Sequence, residues 1–242
     1  MIKQLHFTSF LILAALISSV SYGQSPNLDS ATIAVQKAQA FFDKEIKSQS
    51  RLFNGTAYLT YGSNVKGTAT FDDLSLTNGT VVYDGIRYDD IPLLYDLYLD
   101  NLVTTSFGNA AMVSLIKDKV SGFYINKHHF IYLNQPNERS GSEILNGFFD
   151  LIYDGKIRVL VKRSKKLQFS TNVETPYYFT SKTTYFLERN GNYYQFDNES
   201  SFLNLFKEKK NEMKKHLQEN KIKFKDNPEA AIAILARYDE QI

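Results

Sequence analysis

The chain has 242 residues with 28 Lys and Arg against 26 Asp and Glu, a formal charge of +2, no cysteine, no tryptophan, and 14% aromatic residues. So even a charge balance excludes a strong electrostatic grip on nucleic acid. The missing thiols exclude disulfides, thiol nucleophiles and thiolate metal ligands, so packing has to hold the fold.

The N-terminus reads as an export signal. Lys3 precedes the apolar run Phe10 to Val20, and Ser21 and Gly23 stand three and one positions before Gln24, which places cleavage after Gly23. The run is shorter than the roughly 20 apolar residues a spanning helix needs, so a cleaved signal is expected rather than a membrane anchor. No cysteine follows it, so no lipoprotein is expected, and no later segment could span as a helix. The expected location is the periplasm or the outer membrane's periphery.

After the signal (1–23), Asp29 or Ser30 caps a helix expected to reach Ser48, with Ile33, Ala40, Phe41 and Ile46 at near-helical spacing. From Leu52 to Phe196 the chain becomes short apolar or aromatic runs separated by Asn54-Gly55, Asn78-Gly79, Asp84-Gly85, Asn146-Gly147, Asp154-Gly155 and Asn190-Gly191. Asn-Gly and Asp-Gly supply the positive φ angles of tight hairpins, and the pattern predicts an antiparallel meander of roughly eight to ten strands. The clearest hairpins centre on Asp84, Asp154 and Asn190. The two "YDG" segments are hairpin chemistry rather than an internal repeat, because the match stops at the turn and its flanks.

The period then turns helical. "SSFLNLFKEKKNEMKKHLQEN" places Phe202, Phe206, Met213 and Leu217 on one face of a single helix ending at Asn220. Asn227 caps a second helix, with Pro228 at its first position and Glu229 complementing the dipole, reaching about Glu240. The predicted fold is a curved antiparallel β-meander or incomplete barrel (51–198), with an N-terminal helix (24–50) and a C-terminal helix pair packed on the sheet (199–242). Residues 24–242 read as one domain. A membrane β-barrel is the rival architecture, but such barrels close with a final strand.

Three histidines follow the signal. His128 and His129 are adjacent in a strand, which sends them to opposite faces, so they cannot share a metal. His128 with one carboxylate is the remaining histidine-based candidate, and His216 sits among lysines as a solvated residue. No metalloprotease, nucleophile-elbow, phosphate-loop or EF-hand spacing occurs, and no metal or cofactor is expected.

The stretch Gly79 to Val103 holds five aspartates. A glycosidase needs two carboxylates about 5 to 10 Å apart. Read as one strand from Ile91 to Asp100, the alternation puts Asp96 and Asp100 on one face but about 13 Å apart. Asp84 belongs to its turn, Asp89 and Asp90 to a bend before Pro92, and Asp100 to a strand end. Asp96 alone lacks a turn-based explanation. The candidate catalytic residues are therefore Asp96, Asp100 and His128.

Lys162, Arg163, Lys165 and Lys166 form a basic cluster after a strand, the candidate for ligand or surface binding. Eight lysines against three glutamates mark Lys207 to Lys225. Both read as solvated faces or as contacts for anionic lipid. The runs "TPYYFTSKTTYF" and "NGNYYQF" suit a packed sheet or a carbohydrate or apolar-ligand surface.

The segments "SRLFNGTAYLTY", "GTVVYDGIRYDDIPLLYDLYLDNLV" and "LQENKIKFKDNPEAAIAILARYDEQI" together resemble a family of exported proteins from Bacteroidota. The resemblance spans most of the chain beyond the signal. It implies a cell-envelope protein and carries over no activity and no catalytic residue. A His-Pro pair expected near Lys66-Gly67 in many such proteins is missing here. The expected function is a non-enzymatic envelope protein that binds an outer-membrane partner protein or an apolar or lipid ligand, and the alternative is a carboxylate-dependent hydrolase of envelope glycans.

Overall fold

A computed structural model describes residues 31–38, 51–72, 75–106, 110–135 and 145–241. The export signal and its cleavage site lie outside the described residues. The chain divides into two units, Met1–Ser48 and Gln49–Ile242. In the first, residues 31–38 are helical (α1) with exposed side chains. Ala40, Phe41 and Ile46 of the expected N-terminal helix lie outside the described residues.

The second unit is mainly β. Its strands are β1 (Thr56–Ala57), β2 (Val65–Lys66), β3 (Thr77–Tyr83), β4 (Ile86–Asp96), β5 (Asn101–Thr105), β6 (Met112–Ser114), β7 (Val120–Ile125), β8 (His128–Gln135), β9 (Leu145–Asp154), β10 (Arg158–Phe169), β11 (Tyr177–Arg189) and β12 (Asn192–Phe196). They form one curved open sheet in the order β1-β6-β5-β4-β3-β7-β8-β9-β10-β11-β12, with β2 joining β11 in parallel. Among the described residues twelve strands stand where eight to ten were expected, because β1 and β2 span two residues each and are too short to show alternation.

The hairpins at Asp84-Gly85, Asp154-Gly155 and Asn190-Gly191 join β3–β4, β9–β10 and β11–β12; the first and last carry the expected positive φ at both residues, whereas Asp154 and Gly155 do not and the loop there is three residues long. Two other dipeptides have a different use. Asn78-Gly79 lies inside β3, where a Cβ on Gly79 would sit 2.3 Å from the Tyr124 carbonyl oxygen of the neighbouring strand. Asn146-Gly147 lies inside β9. Asp89 and Asp90 form a bulge in β4, facing the single residue Thr80, with Asp90 at φ +57°.

The C-terminal helices cover one face of β10, β11 and β12. The single helix expected over 200–219 is two, α2 (Glu199–Asn204) and α3 (Lys210–Glu219). The break is stabilised from outside: Arg189 donates to the Leu205 carbonyl at 3.3 Å, and Lys209 reaches Asp239 at 2.8 Å. Phe202, Phe206, Met213 and Leu217 are nonetheless all buried. The last helix, α4 (Pro228–Asp239), starts as expected, with the Asn227 side chain accepting from the Ala230 N–H.

Two large cores result. One joins the helices to the sheet through Val159, Val161, Leu187, Phe202, Leu217, Ile232 and Leu235. The other packs Tyr83, Tyr95, Phe123, Phe130 and Phe148 from β3, β4, β7, β8 and β9 together. Phe123 and Phe130 stack at 4.7 Å, and Tyr95 meets Phe123, Phe130 and Phe148 edge-on. The curvature brings β10 to the end of β4, where the Lys165 N–H donates to the Leu97 carbonyl at 3.2 Å.

Candidate functional site: a saturated carboxylate beneath an aromatic cleft

The strand expected to run to Asp100 ends at Asp96, and residues 97–100 form a turn. Asp96 makes that turn. Its Oδ1 accepts from the N–H groups of Tyr98 and Leu99 at 2.8 and 2.9 Å, the local bonding for which aspartate is favoured at turn starts. Asp100 closes the turn at φ +55°. The misleading signal was Leu97 and Leu99, whose spacing mimics strand alternation although Leu97 is buried and Leu99 is exposed.

The other oxygen of Asp96 faces inward. Oδ2 accepts from Tyr58 Oη and Tyr61 Oη, both at 2.9 Å. Asp96 is 0% exposed, and its four acceptor sites are all filled. Burial first, and the bond to Asp96 second, push both tyrosine hydroxyls well above their ordinary pKa, so they stay protonated donors.

Above this anchor lies a cleft of about 380 Å³ whose walls include Tyr58, Tyr61, Thr68, Leu94, Met112 and Phe179. Tyr61 contacts Phe179 edge-on at 5.1 Å and Tyr98 at 5.9 Å, and Tyr98 and Phe179 lie 5.6 Å apart. Among the described residues no charged side chain lines it. Lys165 approaches from below, but its Nζ is held by the carbonyls of Thr68 and Thr70 at 2.7 and 2.8 Å. Burial lowers the Lys165 pKa.

Asp100 sits in a separate cluster. Tyr95 Oη donates to its Oδ1 at 2.5 Å, and Lys117 and Lys162 bind its Oδ2 at 2.6 and 2.9 Å. Gly147 makes the room: a Cβ there would lie 1.9 Å from the same oxygen. Burial lowers the Lys162 pKa against the opposing pull of Asp100.

His128 does find a carboxylate. Its Nδ1 lies 2.7 Å from Asp150 Oδ2, and Asp150 is 1% exposed. The same oxygen accepts from Arg163 at 2.8 Å, and Arg163 reaches Glu229 at the start of α4 at 2.8 Å. This chain of charges crosses the seam between the two large cores, with Phe71 edge-on to His128 at 5.0 Å and Arg163 over the Phe71 ring at 5.5 Å. The Asp150 bond raises the His128 pKa, opposed by burial. Among the described residues no hydroxyl is hydrogen-bonded to this imidazole.

The basic cluster lies inside β10 rather than after a strand. Alternation splits it. Arg163 and Lys165 turn to one side and Lys162 to the other, each spent on an internal partner, and Lys166 alone of the four is exposed. His129, on the opposite face from His128 as expected, stacks on Tyr124 at 4.1 Å. His216 is no free surface group, since it stacks on Tyr238 at 4.0 Å.

Among the described residues no group of three or more His, Asp or Glu could hold a metal ion. No described helix is long and apolar enough to cross a membrane. Sequence reasoning missed Tyr58 and Tyr61 as the partners of Asp96, and Asp150 and Glu229 as those of His128 and Arg163. The pairings span 22 to 66 positions of the chain, and only the Asp100-Asn101 dipeptide offered a local hint of the turn. No protein-family model, curated protein or solved structure matches this chain.

Proposed function

We propose that the chain is a non-enzymatic binding protein of the cell envelope that takes an uncharged, partly apolar ligand in the cleft walled by Tyr61 and Phe179. One observation carries this reading: the carboxylate beneath the cleft is saturated by four donors, and the walls, among the described residues, are aromatic, aliphatic and hydroxyl-bearing without charge. A cleft of this size is in the range of small-molecule sites, which are mostly apolar with a few placed polar groups. The two tyrosines are fixed by their bonds to Asp96, so the cleft wall is preorganised and loses little freedom on binding. Export to the envelope rests on the N-terminal signal and the resemblance given above.

The alternative, a glycan hydrolase acting through Asp96 or Asp100, needs a carboxylate free to give or take a proton. Turnover of envelope glycan fragments by the purified chain tests the choice. The expected result is no product above a heat-denatured control. Product that disappears in Asp96→Asn or Asp100→Asn, in variants that remain folded, overturns the binding reading.

A further inference from the structure

The β10–β11 hairpin outgrows the sheet. β10 pairs with β9 only as far as Val161, and β11 pairs with β12 only from Tyr185 onward. Between these limits residues 163–184 extend as a two-stranded arm, braced at its base by Arg163 and Lys165 and at mid-length by Phe179 against Tyr61 and Tyr98, and paired with β2 at Tyr177 and Tyr178. The register sorts its side chains by face. Leu167–Phe179 and Phe169–Tyr177 are cross-strand pairs on one face. The other face carries Lys182 opposite Ser164, Lys166 opposite Thr180, and Lys66 of β2 opposite Tyr178.

The end of the arm is apolar and exposed, with Phe169 71%, Val173 93% and Tyr177 39% accessible. It is also ordered. The Ser170 N–H donates to the Pro176 carbonyl at 2.7 Å, and the Asn172 side chain accepts from the N–H groups of Glu174 and Thr175 at 2.9 and 3.0 Å. This turn holds Val173 outward at the apex. Glu174 is the tip's one carboxylate. Lys66, Lys166 and Lys182 are exposed and, among the described residues, form no ion pair.

We propose that this arm docks the protein end-on to an anionic lipid surface. Phe169, Val173 and Tyr177 enter the interface, and the lysine face meets the lipid headgroups. At about 3.3 Å per residue, Lys66 lies about 3 Å and Lys166 about 10 Å behind the Phe169 row. That depth matches the headgroup layer of several ångströms outside the hydrocarbon. An exposed apolar end backed by cations is the arrangement that binds anionic membrane interfaces. The same register explains why Lys162, Arg163 and Lys165 take no part: they are held inside the protein.

Co-sedimentation with vesicles of phosphatidylglycerol and phosphatidylcholine, against vesicles of phosphatidylcholine alone, tests the proposal. The full chain is expected to bind the anionic vesicles and to release them at about 0.5 M salt. Phe169→Asp with Val173→Asp is expected to abolish binding. Lys66→Gln, Lys166→Gln and Lys182→Gln together are expected to weaken it about a hundredfold. Equal thermal melting of all the proteins shows that the exposed changes leave the fold intact. Three results overturn the proposal: no binding by the full chain, binding that survives the tip change because the α3 lysines carry it, or tip-dependent self-association without lipid binding.

Discussion

Tyr58 donates its hydroxyl to Asp96 at 2.9 Å in the interior, closing a contact across 38 positions of the chain. Together with Tyr61 and two backbone N–H groups, it converts the aspartate that looked most like a catalytic residue into a structural pin for the cleft wall. Replacing Asp96 by Asn puts an amide N–H₂ where a carboxylate oxygen received two hydroxyls. A loss of about 2–3 kcal/mol is expected in urea unfolding, against about 1 kcal/mol for Tyr61→Phe. An Asp96→Asn protein of unchanged stability would show that the four bonds do not hold this corner.

Asp150 and Arg163 form the buried half of the His128–Asp150–Arg163–Glu229 chain. Removing one partner of a buried pair strands the other's charge, which costs more than losing both. Arg163→Met is expected to destabilise by about 3 kcal/mol, and Asp150→Asn with Arg163→Met by clearly less than the sum of the single changes. A double-mutant cycle by chemical denaturation measures this directly.

The same network sets a pH dependence. The Asp150 bond raises the His128 pKa in the folded chain. Its contribution to stability is therefore complete below the unfolded value of about 6.5 and is lost as pH rises through the raised folded value. Unfolding midpoints of the wild type and His128→Gln, followed from pH 5 to 9, are expected to differ most at the acid end and to converge toward the alkaline end. His129 is shifted the opposite way by burial, but it is common to both proteins and cancels in the difference.

Gly147, at φ +111°, leaves the space into which Asp100 projects toward Lys117 and Lys162. Gly147→Ala combines a disfavoured backbone conformation with displacement of Asp100 from both lysines. A loss of about 2–3 kcal/mol is expected, read as a lower melting temperature. Gly85, with nothing near its Cβ position, is the internal comparison. Gly85→Ala is expected to cost less, since only its φ of +78° opposes the change.

Local chemistry made much of the fold legible. Asp84-Gly85, Asp154-Gly155 and Asn190-Gly191 mark true hairpins, and Asn227-Pro228-Glu229 marks a true helix start, because each feature depends on its own few residues. Tertiary pairing hid the rest. Asn126 and Lys127 turn β7 into β8 at φ +47° and +69° with no glycine to announce it. Gly79 and Gly147 resemble turn glycines but answer to a neighbouring carbonyl and a distant carboxylate. For the site, the sequence named Asp96, Asp100 and His128 as candidate catalytic residues, and the structure gives each of them internal partners. The sequence could not supply those partners, since Tyr58 comes from the segment after β1 and Lys162 and Asp150 from other strands.

The most direct measurement is recovery of the ligand itself. The tagged protein, purified from its native cells, is extracted and its bound small molecules and lipids identified by mass spectrometry, beside a Ser63→Trp variant whose indole fills the cleft from its exposed rim. An uncharged, partly apolar compound enriched with the wild type and missing from Ser63→Trp is the expected result. Equal recovery from both proteins, or no enriched compound from either, would contradict a ligand-binding role for the cleft above Asp96.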